Sequence, residues 1–76
     1  MQDKILNTIG DFLGLDQVQK NQYFYDDLNI DPLDFADLIL KIEQKYKLTI
    51  PKDEIIEIKK VDDLIKIIED NDPDFN

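Results

Sequence analysis

The side chains able to do covalent chemistry in this 76-residue chain are few. It has no serine, no cysteine and no histidine. Nucleophile-plus-base arrangements of the Ser-His or Cys-His type are therefore out of reach, as are Cys/His zinc sites and disulfides. The hydroxyls that remain belong to Thr8, Thr49, Tyr23, Tyr25 and Tyr46. Carboxylates are abundant, and Asp26-Asp27 and Asp62-Asp63 stand as adjacent pairs. In so acidic a chain such pairs are the expected surface composition, and no residue set supports an enzyme. Asp70, Asp72 and Asp74 alternate like the acids of a calcium loop. They lack the central glycine and the closing glutamate that such a loop needs, so no metal site is expected.

Eighteen acidic residues against nine basic ones give a formal net charge of −9. A surface of that sign repels nucleic acid and anionic lipid, so neither is expected as a partner. The charge serves solubility, or it steers the domain toward proteins with basic patches. The apolar content is that of a globular domain, and there is no apolar run of membrane-spanning length and no leader-like segment. The expectation is one soluble cytoplasmic domain over residues 1–70, monomeric, with a flexible acidic tail over residues 71–76.

Glycine and proline are sparse and no two-residue hairpin signal occurs, so the fold class is all-α. The spacing of Ile5, Leu6, Ile9, Phe12 and Leu13 predicts a first helix over residues 3–13, with Asp3 near its start and Gly14 as a left-handed cap. Gly10 lies inside it and suits a close approach. Residues 15–30 form a long connection anchored by Leu15, Val18, Phe24 and Leu28, with a helical turn over 25–28. A second helix over residues 31–46 opens with Asp31 as N-cap, Pro32 at the first helical position and Asp34 in the first turn. Its apolar residues, Leu33, Phe35, Ala36, Leu38, Ile39, Leu40, Ile42 and Tyr46, are too many for one stripe. Such a helix is central to the core or has a second face for a partner. A short third helix follows Pro51 over residues 52–57, with Ile55, Ile56 and Ile58 as its apolar residues. A last helix runs from 61 or 62 to 69 on Val61, Leu64, Ile65, Ile67 and Ile68. The expected core is Ile5, Ile9, Phe12, Phe24, Leu28, Leu38, Ile42, Ile50, Leu64 and Ile68.

The order of these elements resembles the acyl carrier protein family. Ile9-Gly10-Asp11-Phe12-Leu13-Gly14 looks like that family's first-helix ending, and Phe24-Tyr25-Asp26-Asp27-Leu28 is similar to the run in its first loop. Asp31-Pro32-Leu33-Asp34 aligns with its Asp-Ser-Leu-Asp, and Leu48-Thr49-Ile50-Pro51 with the approach to its short third helix. The likeness spans nearly the whole chain, the first loop being slightly shorter than usual. It implies an acyl-carrier-like four-helix bundle with a short third helix.

In the family, the serine of that motif bears 4′-phosphopantetheine, whose thiol carries acyl groups. Here the position is Pro32, which has no hydroxyl, and no serine stands anywhere in the chain. Attachment to the nearest phenol, Tyr25, has no parallel in the family. The resemblance is thus to a divergent member without the attachment residue, expected to carry no cofactor. It would act as a protein-interaction module docking through Asp31, Pro32, Leu33, Asp34, Asp37, Glu43 and Ile50. The alternative is a member of a fatty-acid, polyketide or related acyl-chain assembly system. Gln44, Lys52 and Ile56 stand where the family has acids, and Lys41 and Lys45 add positive charge to the second helix, which alters partner steering. A simpler account of Lys41 and Lys45 is a solvated face with an Asp37–Lys41 ion pair.

Overall fold

The computed structural model describes the backbone of residues 2–71 and the side chains of residues 4–71. The acids at 72 and 74, and the side chain of Asp3, lie outside the described residues. Four helices follow in chain order: α1 (Gln2–Leu13), α2 (Pro32–Tyr46), α3 (Lys52–Ile55) and α4 (Val61–Asn71). Among the described residues there is no strand, only an isolated antiparallel bridge between Tyr23 and Lys60.

Helix boundaries follow local chemistry. Gly14 adopts φ +72°, the left-handed cap that a residue without Cβ takes at no steric cost. Lys47 ends α2 in the same region, at φ 55°, and its N–H donates to the Glu43 carbonyl. α3 covers four residues rather than the six expected. Beyond Ile55 the chain tightens into i→i+3 turns, with Glu57 N–H on the Glu54 carbonyl and Ile58 N–H on the Ile55 carbonyl. That twist buries Ile58 and leaves Ile56 in solvent. α4 runs to Asn71, two residues past the expected end and into the segment assigned to the tail.

The core joins Ile5 and Ile9 of α1, Phe35, Leu38, Ile39 and Ile42 of α2, and Val61, Leu64, Ile65 and Ile68 of α4. Val18, Phe24, Ile30, Ile50 and Ile58 close it from the connections. Eight of the ten expected core residues are buried; Phe12 and Leu28 pack at its edge, half-buried. In the long connection Val18 and Phe24 anchor as expected, Ile30 joins them, and Leu15 stays exposed. What Leu15 contributes is backbone: its N–H donates to the Gly10 carbonyl at 2.8 Å, and its own carbonyl lies over Gly10. A Cβ at Gly10 would stand 2.9 Å from that oxygen, so the absent side chain is what lets the loop turn back across α1.

Candidate functional site

The start of α2 is held from three sides. Asp31, extended at φ −92° and ψ 167°, accepts the Asp34 N–H on its carboxylate at 2.8 Å. Its carbonyl accepts the Phe35 N–H at 2.9 Å. Pro32 fills the first helical position, where no N–H is needed and its restricted φ is already helical. Phe35 then anchors the first turn. Its ring meets Phe24 edge-on at 5.2 Å between centroids and Tyr25 at 5.9 Å.

The loop carrying Phe24 and Tyr25 is itself fixed. The Asp27 and Leu28 N–H groups both donate to the Tyr23 carbonyl, which closes the turn foreseen near residues 25–28. The Asp27 carboxylate accepts the Tyr23 N–H at 2.7 Å. Further along, the Phe24 N–H donates to the Lys59 carbonyl, the Val61 N–H to the Gln22 carbonyl and the Asp62 N–H to the Lys20 carbonyl. The long connection is thereby stitched to the segment between α3 and α4. The Asp63 carboxylate accepts the N–H groups of Lys59 and Lys60, both at 3.0 Å, and completes that corner.

The seven residues singled out in the sequence divide into two groups. Asp31, Pro32, Leu33, Asp34 and Asp37 all stand exposed around the first turns of α2, and Leu33 is 79% exposed. Glu43 and Ile50 face inward. Ile50 is buried, and the half-buried Glu43 carboxylate accepts the Ile50 N–H at 2.8 Å. Two further apolar residues are exposed: Leu40, at 52%, which the sequence offers only as part of the apolar set of α2, and Ile56, at 70%. Leu33, Asp37 and Leu40 fall on one face of α2 at i, i+4 and i+7. So α2 has both a buried stripe and a second apolar edge. The signal for Ile56 was the pair Ile55-Ile56: adjacent helical residues cannot share one face.

The expected Asp37–Lys41 ion pair is not made, whereas Lys66 and Asp62 of α4, at the same spacing, do pair at 3.3 Å. Asp37 and Lys41 are both exposed, and an exposed pair gains too little over hydration to hold two flexible side chains together. Lys45 instead reaches across to α1 and donates to the Thr8 hydroxyl at 2.9 Å.

A model of the family described as "Phosphopantetheine attachment site" matches residues 3–68. The chain belongs to this family. Solved structures agree with that assignment. A proposed acyl carrier protein from Mycobacterium tuberculosis superposes with a TM-score of 0.83 at 29% identity, over 88% of this chain and 92% of that one. An acyl carrier protein from Thermotoga maritima gives 0.79 at 29% identity, over 97% of this chain and 88% of that one. The all-helical, four-helix architecture is the one these relatives share.

The family's prosthetic group needs an oxygen acceptor, and the helix start here has none. Pro32 stands exposed where α2 begins, without a hydroxyl. Thr8 is buried and its hydroxyl donates to the Lys4 carbonyl, while Thr49 lies past the C-terminal end of α2. The residues at the start of α2 therefore do not fit attachment of the group.

Proposed function

We propose that this domain of the carrier family bears no phosphopantetheine at position 32 and serves as a non-enzymatic protein-interaction module. The observation that carries this reading is Pro32 at the first position of α2 in a chain without any serine. Proline suits that backbone, so the helix start is well built while the acceptor atom is missing.

The docking surface consists of Asp31, Pro32, Leu33, Asp34 and Asp37, extended along α2 by Leu40. Glu43 and Ile50, turned inward near the C-terminal end of α2, are not part of it. Its partner is a protein presenting a basic patch around an apolar contact, drawn in by the net charge of −9. The domain works as a cytoplasmic monomer.

A second reading has its own support in the family match over residues 3–68 and the likeness to acyl carrier proteins. On that reading the chain serves an acyl-chain assembly system as a carrier. Incubation with coenzyme A and a phosphopantetheinyl transferase, followed by intact-mass measurement, separates the two. No mass gain is expected, and a gain of one phosphopantetheine overturns the first reading. A Pro32→Ser variant tests the surface apart from the acceptor. Modification of that variant alone puts the difference at the missing hydroxyl. A folded but unmodified variant extends it to Lys41, Lys45 or the shortened loop.

A further inference from the structure

The wall between α1 and α2 holds a second feature, distant in purpose from the α2 start. On α1, Thr8, Asp11 and Phe12 are spaced i, i+3 and i+4 and so share one edge. On α2, Lys41 and Lys45 are one turn apart. These five residues line a cleft of about 260 Å³.

The Lys45 ammonium is held at this wall by its hydrogen bond to the Thr8 hydroxyl, 2.9 Å long. Thr8 is 5% exposed, and its hydroxyl is itself oriented by donating to the Lys4 carbonyl, also at 2.9 Å. An ammonium carries three donors, so Lys45 has capacity beyond Thr8. Among the described residues neither Lys41 nor Lys45 has a carboxylate within ion-pair distance, although Asp11 lines the same cleft and Asp37 precedes Lys41 by one turn. Phe12, half-buried, supplies an apolar surface beside the two cations.

We propose that this cleft binds a monocarboxylate with a short apolar body, its carboxylate between the Lys41 and Lys45 ammoniums and its apolar part on Phe12. The charge of the lining selects the ligand: two lysines and one aspartate match a single negative charge better than a phosphate dianion. Its size sets an upper limit, since sites for larger organic ligands start at about 300 Å³. A small free acid fits, as does one acidic side chain of another protein. The overall negative field of the domain opposes any anion, so binding is weak and rests on local geometry. This assignment uses none of the residues of the α2 docking surface and stands or falls independently of it.

The test is a titration of the isotope-labelled full chain with sodium butyrate at constant ionic strength, followed by NMR at the lysine Cε–Hε and Phe12 ring signals. Saturable shifts at Lys41, Lys45 and Phe12 are expected, with Lys66 on α4 unaffected and inorganic phosphate weaker than butyrate. Lys41→Met and Lys45→Met should each weaken binding by about fivefold, the upper range for an exposed charge pair. Lys41 makes no hydrogen bond to α1, so its variant keeps the test valid if Lys45→Met perturbs the packing. A parallel titration with N-acetyl-glutamate amide distinguishes the sources. Tighter binding of this probe points to a protein side chain, and tighter butyrate binding points to a free acid. Shifts that fail to saturate, that appear equally at Lys66, or that survive both substitutions overturn the proposal.

Discussion

The Glu43 carboxylate accepts the backbone N–H of Ile50 at 2.8 Å, across seven residues of chain. The Glu43 carbonyl meanwhile accepts the N–H groups of Lys47 and Leu48. One residue thus organises the whole turn out of α2, by side chain and backbone together. It sets Ile50 into the core and aims Pro51 at the start of α3. A glutamate that reads in sequence as one more surface acid is a structural clamp.

Glu43→Ala should therefore destabilise the fold by about 1.5–3 kcal/mol, the range for a hydrogen bond to a charged group. Glu43→Gln keeps an oxygen acceptor and should lose less. Urea denaturation of the two variants beside the parent chain checks this. Equal stability of all three would show that the turn closes without the clamp.

Asp63 makes stability depend on pH. Its hydrogen bond from the Lys60 N–H is the main influence holding its carboxyl below the usual carboxylate range. Partial burial works against this, while the Lys59 N–H and the ammoniums of Lys60 and Lys66 reinforce it. A carboxyl depressed in the folded state contributes stability that is present above its unfolded value and is lost as pH falls through its folded one. Asp63→Asn should cost about 1 kcal/mol at neutral pH, since it loses the charge near the helix start. The gap to the parent should close in acid. Thermal unfolding from pH 7 down to pH 2 reads both limbs, and a constant gap would remove Asp63 from the acid response.

Gly10→Ala inverts an ordinary rule. In a helix interior alanine is usually favoured over glycine by about 1 kcal/mol. Here the new methyl meets the Leu15 carbonyl oxygen at 2.9 Å, a backbone atom that moves only if the loop moves. A net loss of about 1–3 kcal/mol is expected, as for overpacking elsewhere. A melting temperature at or above that of the parent would mean that the loop yields.

Much of the fold was legible because its signals are local. Apolar spacing marks the faces of α1, α2 and α4, and Asp31-Pro32 marks a helix start, since capping depends on neighbouring residues alone. Gly14 was readable as a cap for the same reason. The misses are long-range. The stitching of residues 20–24 to 59–62 is made by backbone groups, which leave no periodic trace in the sequence. Leu15 looked like an anchor because it is apolar, but its carbonyl does the packing. Glu43 looked free because nothing in the local sequence says that Ile50 will return beneath it.

The sequence by itself determined the helical class, the build of the α2 start and the absence of an acceptor hydroxyl there. Composition and short-range geometry decide all three. Only the tertiary structure decided which acids are available at the surface and which are spent inside, that Leu33, Leu40 and Ile56 face outward, and that Lys45 turns to Thr8 rather than to a neighbouring carboxylate. Those outcomes depend on how the helices rotate about their axes and where the connections return. Burial against distant residues fixes both.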